Sequence, residues 1–417
     1  MGMLNLHDNV NQPDIAMPLR IARRFVLNNL SRFPNGSIRV EEPGGGLVRI
    51  GDGEPACALR ILDWRTYSMM FSGGGLGAGE AFMEGLWESD DLTAVVRYFS
   101  ANIEPMQGLD GGLAKLAAPA RRWLHVRNRN SLTGSKRNIA AHYDLGNDFF
   151  QLWLDPTMMY SSAVYPSSGA SLEEASVHKL DLICKKLGLR PGLHLLEVGT
   201  GWGGLAMHAA RHYGCKVTTT TISAEQHRYA TERVEEAGLS GRVTVLDKDY
   251  RLLEGKYDRV VSVEMIEAVG HQFLPEYFRK LGELVKDDGI LLLQAITVPQ
   301  HRYQYALNQV DFIKRYIFPG GFLPSVQVMM EQMGEQSRLT PVHVEDIGLD
   351  YARTLAHWRE RFLAAREPVL ALGFDQRFLR MWEYYLCYCE GAFMERAIST
   401  VQLVAAGPAC RKLPAMA

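Results

Sequence analysis

The stretch HLLEVGTGWGGLAMHAARHYG, residues 194–214, decides the fold of this 417-residue chain. It begins with an apolar run of strand length, continues through a turn that holds four glycines, and ends in a segment with the apolar spacing of a helix. Glycine lets the backbone pass close to a bound ligand, so the turn is a candidate binding loop. A tight turn that binds nothing is the alternative interpretation.

Strands and helices alternate on the carboxyl side of this unit. Strand-like runs follow at KVTTTTI, RVTVLD, DRVVSVEM and GILLLQAITV, which makes five predicted strands before residue 300. The helical segments between them favour a parallel sheet with right-handed crossovers. The predicted fold class is therefore α/β, a doubly wound, Rossmann-like domain. Residues 300–415 are rich in aromatic residues and predict a helical cap over the carboxyl edge of the sheet.

The remainder of the chain predicts two further parts. Residues 1–105 mix short apolar alternations with glycine-rich breaks and predict a smaller N-terminal α+β domain. Residues 106–135 contain GLDGG, several arginines and SLTGS, and predict a linker. We expect the catalytic domain, with its helical cap, to occupy residues 136–417.

Composition excludes several classes of function. The 45 lysines and arginines nearly balance the 47 aspartates and glutamates, so no global positive field recruits nucleic acid. No apolar run approaches the roughly 18 residues that a membrane span requires, and the N-terminus lacks a secretory signal pattern. The six cysteines lack metal-ligand spacing. We expect a cytoplasmic protein without a metal, whose membrane contact is peripheral, and a homodimer is the default oligomer.

The turn E-V-G-T-G-W-G-G, residues 197–204, resembles motif I of the SAM-dependent methyltransferases. The resemblance implies S-adenosylmethionine (SAM) as the cofactor, bound by Glu197, Gly199, Thr200 and Gly201. The second strand ends in T-I-S-x-E-Q, which resembles the cyclopropane fatty acid synthases and mycolic acid methyltransferases; a serine-capped helix start is the alternative. The family resemblance implies that further cofactor contacts come from Thr221, Ile222, Ser223, Gln226, Asp249 and Tyr250.

Other segments are similar to the same family from about residue 35 to the end. GLGAGEAFMEGLW, residues 75–87, is similar to a signature of the phospholipid-acting branch. HYDLGNDFF, residues 142–150, and DPTMMYSS, residues 155–162, resemble the family's other hallmark. The resemblance implies that Tyr160 and Ser161 touch the cofactor and that Ser162 lines a small anion site.

The anion site would supply the base that this chemistry needs. An alkene that has attacked the sulfonium methyl becomes a cation, and a proton must then leave to close the ring. The family uses a bound bicarbonate, and the resemblance assigns its contacts to Glu267, Tyr351 and the backbone of Ile296. Ser162 and Gln294 stand where a cysteine and a histidine are common, and both still offer hydrogen bonds. Cys389 matches a cysteine considered an active-site residue, with a structural thiol as the alternative.

The resemblance implies transfer of a methylene group from SAM to the cis double bond of an unsaturated phospholipid acyl chain, at the surface of a bilayer. The product would be a cyclopropane fatty acyl chain. Three alternatives stay open. A hydride shift and proton loss would give a methyl-branched or methylenated chain, N-methylation of a small amine would need no bicarbonate, and a vestigial fold would leave an inactive lipid-binding protein.

Overall fold

The chain forms two compact units in a computed structural model that describes residues 15–109 and 145–416. The first unit contains the described residues 15–109 together with Val310–Ile313 and Arg366–Ala397. The second contains the described residues 145–309, Lys314–Ala365 and the described residues 398–416. From residue 110 onward the predicted linker lies outside the described residues.

The first unit has the predicted α+β character. Its four-stranded sheet has the order β2-β1-β3-β4, in which β1 is antiparallel to β2 and parallel to β3. These strands are β1 (Ser37–Glu42), β2 (Gly46–Gly51), β3 (Ala56–Ile61) and β4 (Trp87–Glu88). The N-terminal helices are α1 (Met17–Leu30), α2 (Arg65–Met83), α3 (Leu92–Ala101) and α4 (Ile103–Leu109).

Two late helices, α13 (Arg366–Ala371) and α14 (Gln376–Met394), also belong to the first unit. The sequence placed them in the cap of the catalytic domain, and the structure groups them differently. Gly391 of α14 lies so close to Val96 of α3 that an added Cβ would be 2.8 Å from Val96 Cγ1. The hydroxyl of Thr93 also donates to Glu390 at 3.1 Å. Close packing on α3 therefore explains the grouping.

The second unit is built on a seven-stranded sheet of order β10-β11-β9-β8-β5-β6-β7. The five predicted strands are present and parallel, whereas β11 is antiparallel to both β9 and β10. The last two strands correct the expectation that residues 300–415 are helical. The strands are β5 (His194–Val198), β6 (Lys216–Thr221), β7 (Val243–Asp247), β8 (Tyr257–Val263), β9 (Val285–Thr297), β10 (Thr340–Asp346) and β11 (Ser399–Ala406).

Helices cover both faces of this sheet. Leu196 belongs to one apolar core and Leu195 to the other, because successive strand residues point to opposite faces. The predicted doubly wound α/β fold is confirmed. The helices of this unit are α5 (Asn147–Gln151), α6 (Leu172–Lys186), α7 (Gly204–His212), α8 (Ala224–Glu236), α9 (Leu274–Leu284), α10 (Gln300–Asn308), α11 (Val326–Gln336) and α12 (Gly348–Ala364).

The strand order changes direction between β5 and β8. In open α/β sheets, ligands bind beyond the carboxyl ends of the strands at such a switch point. The residues that follow Val198 and Val263 therefore stand where a site is expected. No helix within the described residues is long and apolar enough to cross a membrane.

Candidate active site

The glycine turn after β5 has the backbone that only glycine adopts easily. Gly199, Gly201 and Gly203 have φ values of 103°, 52° and 86°, all in the left-handed region. The N–H groups of Gly199 and Thr200 donate to the carbonyl of Thr220 at 3.1 and 3.0 Å, which ties the turn to the end of β6. An added Cβ at Gly201 would meet no heavy atom of the described residues within 4 Å. Among the described residues, the turn therefore borders open space.

Glu197 lies at the start of this turn in a buried hydroxyl network. The hydroxyl of Thr219 donates to Glu197 Oε2 at 2.6 Å and lies 2.7 Å from the hydroxyl of Thr200. Burial raises the pKa of Glu197 to about 8, although Thr219 and the nearby Lys179 oppose the shift. The carboxyl is therefore mainly protonated at neutral pH.

The residues after β6 form the start of α8. The hydroxyl of Thr221 donates to Gln226 Oε1 at 2.9 Å and accepts from the N–H of Ser223 at 3.1 Å. Ser223 in turn caps the helix by accepting from the N–H of Gln226 at 3.3 Å. Ile222 lies half-buried between Thr221 and Ser223. These four residues are brought together at the carboxyl end of β6, and their contact with a cofactor stays a prediction.

Asp249 and Tyr250 lie next to the same strand end. The N–H of Lys248 donates to the carbonyl of Thr221 at 3.1 Å. The guanidinium of Arg251 donates to both carboxylate oxygens of Asp249, at 2.8 and 2.7 Å. Tyr250 packs edge-on against Tyr277 with ring centroids 5.5 Å apart. The carboxylate predicted to hold the adenine end is thus paired with an arginine.

Tyr160 and Ser161 have different surroundings. Ser161 accepts a hydrogen bond of 2.8 Å from the ammonium of Lys179, which is fully buried. Burial lowers the pKa of Lys179 to about 8, and the nearby Glu264, Asp155 and Glu197 oppose the shift. Tyr160 belongs to an aromatic cluster in which its ring centroid lies 5.4 to 6.3 Å from those of Trp358, Phe150, Trp153 and Phe318.

The predicted anion site contains a carboxylate that the sequence analysis did not assign. Glu264 Oε1 accepts from the N–H of Ser162 at 3.0 Å and from Nε2 of Gln294 at 2.8 Å. Glu264 Oε2 accepts from the hydroxyl of Tyr351 at 2.8 Å. Ser162 contributes its backbone, because its hydroxyl donates to the carbonyl of Ala163 at 2.8 Å. The structure therefore brings Ser162, Gln294 and Tyr351 together, and Glu264 is the group that all three contact.

Glu267, which follows Glu264 by three residues, contacts a different part of the chain. Its Oε1 accepts from the N–H of Ile296 at 2.6 Å, so these two predicted residues are paired with each other. Its Oε2 is buried and has no hydrogen-bond partner among the described residues. Burial, assisted by the negative charge of Glu264, raises the pKa of Glu267 to about 8. Glu267 is therefore mainly protonated at neutral pH.

Cys389 lies on α14 in the first unit, whereas the other predicted catalytic residues belong to the second. Burial, with smaller contributions from Asp311 and Cys387, raises the pKa of the Cys389 thiol far above its usual range. A thiol of this kind is a weak nucleophile at neutral pH. The raised pKa therefore favours the structural interpretation of Cys389.

Three functional candidates were missed in the sequence. Glu264, the first of them, follows β8 three residues before the predicted Glu267, and a second acid at a carboxyl strand end is the signal that could have found it. Lys179 and Gln402 lie in an ordinary helix and strand pattern that carries no comparable signal. Within the described ranges, no group of three or more metal-ligating side chains could hold a metal ion.

The family model described as mycolic acid cyclopropane synthetase matches residues 130–403. The chain belongs to this family. Tuberculostearic acid methyltransferase UfaA1 of Mycobacterium tuberculosis is 40% identical over 345 residues, which cover 80% of this chain and 79% of that protein. The cyclopropane-fatty-acyl-phospholipid synthase of Escherichia coli is 39% identical over 355 residues, which cover 85% of this chain and 88% of the relative.

Solved structures agree with this membership. The cyclopropane synthase MmaA2 from Mycobacterium tuberculosis superposes with a TM-score of 0.61 at 30% identity, covering 65% of this chain and 98% of that chain. The mycolic acid cyclopropane synthase CmaA1, complexed with SAH and CTAB, also gives 0.61, at 31% identity and with the same coverage. The predictions of the fold and of a SAM-dependent methyltransferase of this family are confirmed.

Proposed function

We propose that the chain transfers a methylene group from SAM to the cis double bond of an unsaturated phospholipid acyl chain and forms a cyclopropane. The observation that carries this proposal is a carboxylate, Glu264, held by three donors and linked through Tyr351 to an aromatic cluster. A base beside aromatic rings suits a reaction that passes through a cation and ends in proton loss. The name of the relative from Escherichia coli supports the same substrate class.

The glycine turn fits SAM. Gly199 and Gly201 leave the backbone accessible, and a side chain at Gly201 would enter the open space described above. The residues that would hold the cofactor include Glu197, Thr200 and Gln226, which offer carboxyl, hydroxyl and amide groups. When bound, SAM supplies an electrophilic methyl on a sulfonium, and the electrons of the broken C–S bond stay on sulfur.

The aromatic cluster would receive the acyl chain. Trp153 and Trp358 are fully buried, and the ring of Tyr351 meets Trp358 edge-on at 5.9 Å. Buried rings of this kind would exclude water from the double bond of the acyl chain. Ring faces also stabilise a nearby positive charge by roughly 0.5 to 2 kcal/mol. The positive charge would then be lost when a base removes a proton from the added methyl and the C–H electrons close the ring.

The sequence led us to expect bicarbonate as that base. Three of its expected contacts, Ser162, Gln294 and Tyr351, donate to Glu264, and the remaining two, Glu267 and Ile296, bond to each other. The residues present therefore do not fit a separate bicarbonate, and no step of the proposed reaction passes through one.

The substrate requires contact with a bilayer, and α1 offers a suitable face. Met17 and Ile21 are 64% and 56% exposed, and Arg20 and Arg24 are exposed on the same side of the helix. A face with apolar and basic side chains inserts at the interface of an anionic membrane. We propose peripheral binding of α1 to the phospholipid surface of the cytoplasmic leaflet.

The experiment is product analysis with vesicles of unsaturated phospholipid and SAM. Mass spectrometry should find a gain of one CH2 per modified acyl chain, and proton NMR should find cyclopropane methylene signals. A vinylidene or methyl-branched product would instead favour the second candidate, which the name of the relative UfaA1 supports. Methylation of an amine with no change in the acyl chains would contradict both.

A further inference from the structure

We propose that Glu264 is the general base of this enzyme, a carboxylate built into the chain in place of a bound bicarbonate. The inference rests on the proposed function, since it names the base of the same reaction. Its starting point is that the groups expected to donate hydrogen bonds to bicarbonate donate them to the Glu264 side chain instead.

The three contacts are all donors to a carboxylate. The Ser162 N–H, the Gln294 amide nitrogen and the Tyr351 hydroxyl converge on its two oxygens within 2.8 to 3.0 Å. Donors of this kind stabilise the charged form of a carboxyl group. A second anion in the same place would find the donors occupied and would be repelled by the charge of Glu264.

A chain of buried side chains fixes the direction of the Gln294 amide. The Lys186 ammonium donates to Gln402 Oε1 at 2.7 Å, and the Gln402 amide nitrogen donates to Gln294 Oε1 at 3.0 Å. Because an ammonium can only donate, Gln402 must turn its oxygen to Lys186 and its nitrogen to Gln294. Gln294 must then present its own nitrogen to Glu264. Gln294 therefore presents a hydrogen-bond donor to the site, and its partner there must be an acceptor.

The two neighbouring carboxyl groups have different surroundings. Burial raises the pKa of Glu264, but Gln294, Ser162, Tyr351 and the charge of Lys179 oppose that shift. Burial raises the pKa of Glu267 to about 8, the negative charge of Glu264 adds to the shift, and backbone donors such as the N–H of Ile296 oppose it. Two close carboxyl groups whose environments separate their pKa values divide the roles of acid and base. Glu264 is the member whose charged form receives more hydrogen bonds, three against the one that Glu267 accepts among the described residues.

The step that Glu264 performs balances without another reactant. A C–H bond of the newly added methyl breaks, its proton moves to the Glu264 carboxylate, and its electron pair forms the C–C bond that closes the ring. The cation becomes a neutral cyclopropane, and the proton returns to water after the product leaves. Oε2 is the acceptor we assign, because it carries one hydrogen bond among the described residues whereas Oε1 carries two.

The backbone of Glu264 adds an independent observation. Its φ of 48° lies in the left-handed region, which residues other than glycine seldom occupy. Such conformations persist where the surrounding structure enforces them, often at active sites. Glycine accepts this backbone without strain, so Glu264→Gly should fold and leave the three donors without their carboxylate.

The experiment compares the wild type with Glu264→Gly, Glu264→Gln and the control Glu236→Gln, which changes an exposed residue of α8. The wild-type rate should not respond to removal of bicarbonate. Glu264→Gly should lose about 100-fold or more in kcat, the contribution of a general base, while its SAM affinity by calorimetry stays unchanged. Added bicarbonate or formate should restore part of that rate with saturation, whereas Glu264→Gln, which fills the space, should not be restored.

A binding measurement separates this inference from the proposed function. Isotope-labelled bicarbonate, followed by carbon NMR, should bind to Glu264→Gly and not to the wild type. Binding to the wild type, a wild-type rate that depends on bicarbonate, or full activity in Glu264→Gly would overturn the role of Glu264. A wild type that modifies no acyl chain would contradict the proposed function, and the bicarbonate titration would still test the site.

Discussion

Gln402 on β11 lies directly opposite Gln294 on β9, and its amide nitrogen donates to Gln294 Oε1 at 3.0 Å. Both side chains are buried, and neither amide can rotate without placing two like groups together. On the other side of β11, Glu345 of β10 pairs with the same Lys186 that contacts Gln402. The register of β9, β10 and β11 therefore determines which atom of the Gln294 amide faces Glu264.

A substitution that reverses the direction of the hydrogen bond between Gln402 and Gln294 should slow the reaction without unfolding the protein. In Gln402→Glu, the new carboxylate accepts from both Lys186 and Gln294, so the Gln294 oxygen turns toward Glu264. Loss of a hydrogen bond to a charged group is worth about 1.5 to 3 kcal/mol, so kcat should fall by about 10-fold to 100-fold. The acid limb of the pH–rate profile should move to higher pH, because the Glu264 carboxylate loses a donor.

The exposed Gln304→Glu variant on α10 controls for the added charge and should leave the profile unchanged. A slower Gln402→Glu enzyme with an unmoved acid limb would mean that Gln402 acts on stability alone. Unfolding in urea, measured for both variants, tells the two effects apart.

Removal of the Tyr351 hydroxyl should also raise the pH at which the base ionises. Tyr351→Phe keeps the ring against Trp358 but deletes the 2.8 Å hydrogen bond to Glu264 Oε2. Since that donor stabilises the charged carboxylate, the pKa of Glu264 should rise and activity on the acid side should be lost at a higher pH. The check is kcat as a function of pH, and a limb that moves to lower pH would contradict the assignment.

The sequence predicted the parallel part of the fold because that part depends on local patterns. An apolar run, a glycine turn and a helix with apolar spacing indicate β5 and α7 without knowledge of the rest of the chain. The antiparallel strand β11 was missed, since STVQLVAA follows a long helix and pairs with residues about 100 positions away. The placement of α14 with the first unit likewise depends on contacts with α3 that local patterns do not reveal.

The candidate site was predicted residue by residue from family resemblance, and the contacts among those residues were not. Ser162, Gln294 and Tyr351 come together as a set of donors, as the resemblance implied. The partner of that set is Glu264, whose role depends on the turn after β8 that points its side chain at them. The surrounding tertiary structure enforces the left-handed backbone of Glu264 and thereby the direction of its side chain, so the sequence pattern did not predict that direction.

Replacement of Glu267 by a neutral glutamine should stabilise the folded protein at high pH. The pKa of Glu267 is about 8 in the folded protein and close to 4.5 when exposed, so the folded state holds a proton that the unfolded state releases between these values. Stability therefore falls as the pH rises through this window. Glu267→Gln removes that loss and should be more stable than the wild type by more than about 1 kcal/mol at pH ~8.

Urea unfolding at pH ~5 and pH ~8 tests this sign, since the advantage of Glu267→Gln should shrink at the lower pH. Glu236→Gln, which changes an exposed carboxylate, should show no such dependence. A Glu267→Gln protein that is destabilised equally at both values would mean that the carboxyl group is ionised when folded.

A charge on the exposed face of α1 should release the enzyme from membranes. Ile21 is 56% exposed between Arg20 and Arg24, so Ile21→Asp places a negative charge where the lipid surface is proposed to lie. Flotation with phosphatidylglycerol vesicles should show at least several-fold weaker binding, with SAM affinity unchanged. Leu372→Asp, at a site 44% exposed, is the matched control and should bind like the wild type. Equal binding of all three proteins would exclude α1 as the docking face.

A side chain at Gly201 should strongly weaken SAM binding, because it would occupy the space beside the glycine turn. Gly201 has a φ of 52° and no heavy atom of the described residues within 4 Å of an added Cβ. Valine would therefore find room there, although a β-branched residue at positive φ costs on the order of 1 to 3 kcal/mol. Calorimetry on Gly201→Val should find SAM affinity reduced by about 100-fold or more.

Backbone strain alone could weaken binding, and Gly238→Val separates that effect. Gly238 follows α8, has a φ of 66° and likewise has no heavy atom within 4 Å of an added Cβ in the described part of the chain. The two variants should lose similar stability in urea, because each forces valine into the left-handed region. Only Gly201→Val should lose SAM, and wild-type SAM affinity in Gly201→Val would show that the cofactor does not lie against this turn.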